Sequence, residues 1–228
     1  MREVVLDTET TGVNYAKGDR IVEIGALELQ NHIPTGRTFH KYINPERAMS
    51  KGALSIHGLS DTFLKDKPKF ADVSKEFMEF IADSKLVIHN AEFDIGFINA
   101  ELALVNIAPI SLSQAIDTLE IAKKKFPGTP KSLDALCRKF GIDNSARKLH
   151  GALLDSEILA EVYLELIGGK QPNLFIDSHQ GMQKKRQDKP ISVRLRKKSL
   201  PSRLTAAEKA AHEIFVLKLG DGALWLSK

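Results

Sequence analysis

Four acidic residues stand in strongly apolar stretches of the sequence, where a charged side chain needs a counter-charge. Asp7 and Glu9 follow the apolar run at 4–6 in LDTETTG, and their spacing of two directs both side chains to one face of an extended chain. Asp94 lies in HNAEFDIGF and Asp155 in HGALLD, beside equally apolar segments. Unpaired buried carboxylates are unfavourable and few fixed cations are at hand, whereas hard divalent ions bind carboxylate oxygens. The four residues therefore predict a Mg²⁺ or Mn²⁺ site.

Each acidic residue also has an ordinary explanation when it is considered alone. An Asp-x-Glu pair suits a solvated strand end, Asp94 suits the first turn of a helix, and Asp155 could pair with a basic neighbour. Their shared position, at the end of an element and next to an apolar segment, favours the metal site. Asp117 is a rival ligand, which we expect instead to cap the helix that follows it.

His150 supplies a group that could move a proton. It precedes Asp155 by five residues, about 140° around a helix, so we expect it in the turn that enters the helix. An imidazole titrates near neutral pH and could deprotonate an attacking water. The alternative is a surface histidine that caps the helix. His89 and Cys137 are interpreted as packing residues.

These side chains must be positioned by strands and helices that the apolar pattern predicts. Short apolar or alternating runs predict strands at 4–6, 21–29, 38–43 and 86–88, the second and third antiparallel beside the first. Helical spacing predicts helices at 70–81, from a cap at Asn90 to about Leu104, and at 119–126, 132–140 and 151–167. Strands followed by strand–helix alternation predict an α/β domain with a mixed sheet.

The composition excludes several classes of protein. The chain has 228 residues, of which 43% are hydrophobic and 27% charged, as in a globular protein. No apolar run approaches the roughly 18 residues of a membrane span, and the first residues lack an apolar signal core. The single cysteine excludes an internal disulfide and a cysteine-based zinc site. We therefore expect a cytoplasmic location.

The net charge of +4 conceals two opposite segments. Residues 1–169 carry 20 Lys and Arg against 24 Asp and Glu, whereas residues 170–204 carry 10 against 2. The basic segment is polar and holds three prolines, which predicts a flexible linker. Thr205 and Glu208 then form a capping-box pattern before an amphipathic run through Leu219. The predicted domains are a catalytic domain at 1–169, a linker at 170–204 and a terminal segment at 205–228.

Together these motifs resemble the histidine-bearing subgroup of the DEDD exonuclease superfamily, and within it the proofreading subunits of bacterial replicative DNA polymerases. The resemblance is carried by LDTETTG, KLVIHN, FPG, SLDALC, HGALLD and ILAEVYL, and by AHE and a tryptophan near the end. It implies a ribonuclease H-like fold with a mixed five-stranded sheet flanked by helices. It also implies removal of 3′-terminal nucleotides from DNA by two-metal hydrolysis.

The resemblance assigns roles residue by residue. Asp7 would bridge two metal ions, and Glu9, Asp94 and Asp155 would complete their ligands. His150 would be the general base. The substrate-binding residues would be Asp7, Glu9, Asp155 and His57, the last of which matches a position that contacts the terminal nucleotide. A turn histidine is the alternative for His57. The family often has a glutamate five residues earlier, where this chain has Gly52, so the sugar contact is left open.

The tail contains two candidate docking elements. QPNLFI, at 171–176, resembles the motif by which replication proteins bind the sliding clamp, through Gln171, Leu174 and Phe175. The terminal helix and Trp225 resemble a docking element, for which the family implies the polymerase catalytic subunit as host. Two weak contacts on one linker raise the local concentration of the nuclease. Whether a small accessory subunit also binds is left open.

Two alternative functions share these features. An RNA-trimming exonuclease could use the same site, because the carboxylates do not encode a sugar preference. A non-catalytic subunit could stabilise a polymerase. The linker, the clamp-like motif and the terminal helix favour the proofreading enzyme over the first alternative. The complete set of four carboxylates and one histidine argues against the second.

Overall fold

The computed structural model describes residues 1–145, 147, 149–168 and 204–219. The chain divides into an N-terminal and a C-terminal unit, which are described separately below. The clamp-like motif at Gln171, Leu174 and Phe175, Trp225, and nearly all of the predicted linker lie outside the described residues. The domain boundaries that the sequence predicts at 169 and 204 therefore stay predictions.

A mixed five-stranded sheet forms the centre of the N-terminal unit, which confirms the predicted fold class. Its strands are β1 (Arg2–Thr10), β2 (Ile21–Gln30), β3 (Ile33–Tyr42), β4 (Lys85–Ile88) and β5 (Ala115–Asp117). Their order is β3-β2-β1-β4-β5. The pairs β1–β2 and β2–β3 are antiparallel, and β4 pairs in parallel with both β1 and β5. β1 extends to Thr10, so Asp7 and Glu9 lie within this strand and not after it.

Seven helices belong to this unit among the described residues. They are α1 (Lys51–His57), α2 (Asp61–Leu64), α3 (Phe70–Ile81), α4 (Ala91–Leu104), α5 (Thr118–Lys125), α6 (Leu133–Phe140) and α7 (Ala152–Ile167). Short 3₁₀ turns occur at Tyr15–Lys17 and Leu112–Gln114. The five longer predicted helices are confirmed within a residue or two at each end. Helices α1 and α2 are not predicted from the sequence pattern.

The two faces of the sheet bury different hydrophobic clusters. Val4 and Leu6 of β1 pack into the cluster that includes residues of α3 and α4, whereas Val5 packs into the cluster that includes Leu159 and Tyr163 of α7. Side chains alternate along a strand, so Asp7 and Glu9 share the α7 face with Val5. Their register partners on the neighbouring strand β2 are Gly25 and Glu23, respectively.

Gly25 allows α7 to approach this face closely. A Cβ atom at residue 25 would overlap the backbone of Ala152 and Leu153. Ser156, one turn further along α7, donates a hydrogen bond of 2.9 Å to the Gly25 carbonyl. The first turn of α7 therefore lies directly over β2, which brings Asp155 beside the acidic residues of β1.

The C-terminal unit contains helix α8 (Ala206–Lys218). The predicted capping box is present, because the Thr205 hydroxyl accepts from Glu208 N at 3.2 Å and the Glu208 carboxylate accepts from Thr205 N at 2.8 Å. Among the described residues of the whole chain, none of the helices combines the length and apolar character that crossing a membrane requires.

Candidate active site

One cleft of about 410 Å³ brings together all five residues for which the sequence predicts catalytic or metal-binding roles. β1 provides Asp7 and Glu9, α4 provides Asp94, α7 provides Asp155, and the turn before α7 provides His150. One ligand atom from each of Glu9, His150 and Asp155 can be chosen so that all three lie within 4.8 Å of one another. The cleft therefore brings together oxygen and nitrogen atoms that could bind a metal ion. They come from residues as far apart in sequence as 7 and 155.

Asp94 is held against β1 by hydrogen bonds. It lies in the first turn of α4 and is almost completely buried. Its Oδ1 accepts from the Thr8 backbone nitrogen at 3.1 Å and from the Thr8 hydroxyl at 2.7 Å. These bonds occupy one carboxylate oxygen and fix the side chain next to Asp7 and Glu9.

Asp117 caps helices and stays outside the cleft. Its carboxylate accepts from Leu119 N at 2.8 Å, which confirms the predicted cap of α5. It also accepts from Asn90 N and Ala91 N, both at 3.2 Å, at the start of α4. Asn90 lies at the N-cap position of α4, as predicted, but it adopts a left-handed conformation with φ of 72° and its side chain makes no capping hydrogen bond.

The carboxylates in the cleft disfavour one another's charged forms. Burial raises the pKa of Asp7 well above its usual value, and the charges of Asp94, Glu9 and Asp155 raise it further. Burial, with Asp155 as the next contribution, raises the pKa of Glu9 to about 8. Burial raises that of Asp94 to about 7 against the hydrogen bonds from Thr8. A divalent cation would relieve this repulsion, so the donor set fits a metal site.

Arg147 is a member of this cleft that the sequence motifs do not single out, and it is the basic neighbour with which Asp155 alone was expected to be able to pair. Its Nε and Nη2 lie 2.5 and 2.6 Å from the two carboxylate oxygens of Asp155, and its Nη1 lies 2.7 Å from Oδ1 of Asp134. Its side chain is 7% exposed. Among the described residues that line the cleft, Arg147 alone has a permanently positive side chain. The expectation that fixed cations are scarce is therefore wrong for Asp155.

The charge state of Asp155 reflects this pairing. Burial favours its neutral form, but hydrogen bonds from His150 and Arg147 outweigh burial and lower its pKa. Asp155 thus differs from Asp7, Glu9 and Asp94, whose pKa values are raised. The sequence signal that could have found Arg147 is a basic residue in SARKLHGALLD, eight residues before Asp155 and close to the turn that carries His150.

His150 lies in the turn before α7, as the spacing predicts, with its backbone nitrogen bonded to the Ile56 carbonyl at 3.1 Å. Its side chain is 45% exposed, and its Nδ1 lies 3.2 Å from Asp155 Oδ2 and 2.8 Å from Arg147 Nη2. A guanidinium only donates and a carboxylate only accepts, so Nδ1 can satisfy one of them at a time. In the neutral ring, bonding to Asp155 leaves Nε2 free to accept a proton, whereas bonding to Arg147 puts the proton on Nε2.

His57 lines a second cavity of about 440 Å³, which also reaches Glu9, Phe93 and Gly52. The imidazole is 5% exposed, and Nδ1 accepts from Leu59 N at 3.0 Å. The neutral ring therefore carries its proton on Nε2, which makes no hydrogen bond of ordinary geometry with the described residues. Burial lowers the pKa of His57, which favours this neutral form. A Cβ at residue 52 would have no neighbour within 4 Å.

The two residues interpreted as packing residues differ in their positions. Cys137 is completely buried in a cluster with Ala122, Leu136 and Val162, as expected. His89 has a polar contact, since its Nδ1 lies 2.9 Å from the Thr118 hydroxyl, and it also lines the cleft beside Asp94. His89 is therefore part of the wall of the cleft.

Comparisons with known proteins place this chain among exonucleases. An exonuclease family model, RNase_T, matches residues 4–163. The DNA polymerase III subunit epsilon of Rickettsia felis is 59% identical over 174 residues, which is 75% of this chain and 76% of the relative. The epsilon subunit of Rickettsia typhi is 48% identical, covering 96% of this chain and 97% of the relative. The epsilon subunit of Escherichia coli K12 is 44% identical, covering 98% and 97%.

Solved structures share the fold of the N-terminal unit. Exonuclease X in complex with 5′ overhanging duplex DNA superimposes with a TM-score of 0.56 and 26% identity, covering 72% of this chain and 90% of that chain. The nuclease domain of 3′hExo, a DEDDh family member bound to rAMP, gives 0.62 at 20% identity and covers 73% and 91%. The predicted ribonuclease H-like architecture is confirmed by these matches.

Proposed function

This chain belongs to the family of DNA polymerase III epsilon subunits, and we propose that the cleft at the end of β1 is the active centre of its proofreading exonuclease. The activity is a metal-dependent 3′–5′ exonuclease activity. The observation that carries the assignment of the site is the convergence of four carboxylates and one imidazole from β1, α4, α7 and the turn before α7.

Asp7, Glu9, Asp94 and Asp155 would hold two divalent ions, Mg²⁺ or Mn²⁺, with Asp7 shared between them. Their oxygen donors suit hard cations, and the raised pKa values of Asp7, Glu9 and Asp94, caused first by burial, support a site that favours positive charge. Ions bound there make water more acidic and stabilise the leaving 3′ oxygen. Asp7, Glu9 and Asp155 would also position the terminal nucleotide.

His150 is proposed as the general base. Its exposed ring can reach a water in the cleft, and Nε2 can accept a proton when Nδ1–H donates to Asp155. Asp155 would then act on the base as well, because it holds the tautomer that leaves Nε2 free.

His57 is proposed to donate from Nε2–H to the terminal nucleotide in the adjacent cavity. Among the described residues its buried Nε2 makes no hydrogen bond of ordinary geometry, the Thr10 backbone being its one weaker contact, and its Nδ1 is already occupied. Gly52 leaves open space in the same cavity, so a glutamate contact to the sugar is absent at this position in this chain.

The partners are a single-stranded 3′ end of primer DNA and the polymerase itself. We assign residues 1–169 to the exonuclease, 170–204 to a flexible linker and 205–228 to docking on the polymerase catalytic subunit. In α8 the side chains of Ile214, Phe215 and Leu217 are 56, 57 and 72% exposed, which supports a docking role. The same proposal includes binding of the sliding clamp through Gln171, Leu174 and Phe175. It also includes binding of a small accessory subunit. A replication subunit of this kind works in the cytoplasm.

Degradation of a 5′-labelled primer with a mispaired 3′ end tests the activity and its site. The full-length chain should shorten the primer in Mg²⁺ or Mn²⁺ but not in EDTA, and should act much more slowly on an RNA oligomer of the same sequence. Asp7→Ala should abolish shortening, while Asp83→Ala, at an exposed residue outside the cleft, should not change it.

The alternatives give different results in this assay. Equal rates on DNA and RNA would favour the RNA-trimming enzyme. An absence of metal-dependent shortening would favour a non-catalytic assembly subunit. Full activity of the Asp7→Ala variant would place the active centre elsewhere.

A further inference from the structure

Arg147 holds the same carboxylate that the proposed metal site needs. Its Nε and Nη2 approach Oδ1 and Oδ2 of Asp155 separately, so neither oxygen is free of a cationic donor. The pair is almost completely buried, with 7% of the Arg147 side chain and 3% of the Asp155 side chain exposed. A divalent ion on Asp155 requires at least one of these oxygens, and a guanidinium and a divalent ion on the same carboxylate repel each other.

The surroundings of Arg147 provide a second partner. Asp134 accepts from Nη1 at 2.7 Å, and its side chain is 42% exposed at the edge of the cleft. The same Asp134 oxygen accepts from the Asn144 amide at 2.9 Å, which fixes its orientation. If the guanidinium leaves Asp155, it can still pair with Asp134 and move toward solvent without becoming an unpaired buried charge.

We infer that Arg147 is an exchangeable counter-ion of the active site, which competes with divalent metal for Asp155. With Arg147 on Asp155, the guanidinium partly neutralises the carboxylate cluster. With metal on Asp155, Arg147 is retained by Asp134 alone. This inference rests on the proposed role of Asp155 as a metal ligand and adds a residue that sets the affinity of that site.

The exchange would also prepare the base. Arg147 Nη2 lies 2.8 Å from His150 Nδ1, whereas Asp155 Oδ2 lies 3.2 Å from the same atom. Withdrawal of Arg147 leaves Asp155 as the partner of Nδ1 and so favours the tautomer with a free Nε2. Arg147 is thus a positioning residue that acts through Asp155 and His150.

A fixed structural ion pair is the competing explanation, and metal binding distinguishes the two. If Arg147 competes with metal, its removal tightens metal binding. If it only orients Asp155 for the metal, its removal weakens binding. If it is a clasp between α6 and α7, its removal lowers stability equally with and without metal.

Titration calorimetry of the full-length chain with Mn²⁺, in the absence of DNA, provides the test. We expect Arg147→Gln to lower the Mn²⁺ dissociation constant by about tenfold, because a positive charge next to the site is removed. Arg147→Lys keeps the charge but loses the two-pronged contact, so a smaller decrease of about threefold is expected. Arg138→Gln, at an exposed position of α6, is the matched control and should leave the constant unchanged.

Thermal unfolding supplies a second readout. Arg147→Gln should lower the midpoint in EDTA more than in saturating Mn²⁺, since metal replaces the missing guanidinium. An unchanged or raised Mn²⁺ dissociation constant in both the Gln and Lys variants would overturn the inference, as would equal losses of stability under both conditions. The Lys variant keeps the positive charge and preserves the test if the Gln variant does not fold.

One further variant separates this inference from the proposed metal site. Asp155→Asn should raise the Mn²⁺ dissociation constant sharply. If it does so while the Arg147 variants bind Mn²⁺ like the unaltered protein, the metal site stands and the exchange is wrong. If Asp155→Asn has no effect, the assignment of Asp155 as a ligand is wrong, and the exchange with it.

Discussion

Arg20–Glu101 and Arg147–Asp155 are two arginine–carboxylate pairs of the N-terminal unit that have the same chemistry and different surroundings. Arg20 binds both oxygens of Glu101 at 2.7 Å, and Glu101 also accepts from Ile21 N at 3.2 Å. This pair is balanced, with one cation for one carboxylate. Arg147 binds Asp155 with similar geometry, but Asp7, Glu9 and Asp94 share its cleft. Balance fits a structural role for the first pair, and the excess of negative charge around the second fits the proposed metal site.

Removing one carboxylate from the unbalanced cluster should have the largest functional effect. Asp7→Asn should reduce exonuclease turnover below detection, because Asp7 is the proposed shared ligand. The same change should raise the unfolding midpoint of the protein in EDTA, since it removes a carboxyl group whose charged form is disfavoured by desolvation and by its acidic neighbours. Primer shortening and calorimetry would check the two effects. A lowered unfolding midpoint in EDTA would mean that the negative charge of the cleft carboxylates is already compensated without metal.

Removing the base should affect turnover while sparing the metal site. We expect His150→Ala to lower the turnover rate by about 10²- to 10⁴-fold, the usual contribution of general base catalysis. Its Mn²⁺ affinity should stay close to that of the unaltered protein. Single-turnover kinetics and Mn²⁺ titration measure the two quantities. A large loss of Mn²⁺ affinity would instead make His150 a metal ligand, together with Glu9 and Asp155.

In the balanced pair, removing one partner should damage the fold. Glu101→Gln leaves the Arg20 guanidinium without its charge partner and should lower the free energy of unfolding by about 3 kcal/mol. Metal affinity should not change. Urea unfolding would measure the loss. Glu79→Gln is the control, because the exposed Lys75–Glu79 pair spans 3.9 Å and should contribute less than about 1 kcal/mol. Equal losses of unfolding free energy in Glu101→Gln and Glu79→Gln would contradict a structural role for the Arg20–Glu101 pair.

A further predicted effect is a pH dependence that metal should remove. Burial raises the pKa of Glu9 from 4.5 to about 8, so the folded protein in EDTA binds protons more tightly than the unfolded chain. The stabilisation is complete below about pH 4.5 and is lost as the pH rises toward 8. The unfolding midpoint in EDTA should therefore fall across this range, and Mn²⁺ should suppress the fall. A midpoint that rises with pH in EDTA would oppose this assignment.

The sequence predicts most of the fold because the apolar pattern matches the packing. Val4, Leu6, Phe77 and Leu159 are all buried where the periodicity expects them. The extent of β1 is underestimated because Thr8 and Thr10 are polar, although both are buried in the strand. α1 is not predicted because it has only about two turns, and it begins at the Ser50 cap without an apolar stripe.

Some residues of the candidate site can likewise be predicted from the sequence, and others cannot. The carboxylates and His150 can be found from the sequence, since a charged residue within an apolar segment can be recognised without the structure. Arg147 could not be assigned from spacing, because its contact with Asp134 joins a turn to a separate helix. The second capping role of Asp117 is missed for a related reason. It depends on the parallel pairing of β4 and β5, which places the starts of α4 and α5 side by side.

The contact between Gly25 and the start of α7 sets a limit on how this site can vary. Glycine has the smallest side chain available, so the backbone of Ala152 already lies as near to β2 as the chain allows. Any substitution at residue 25 adds volume and pushes α7, with Asp155, away from Asp7 and Glu9. The distance between Asp155 on α7 and the acidic residues of β1 is thus already the shortest that the backbone allows. A mutation at residue 25 can only increase it.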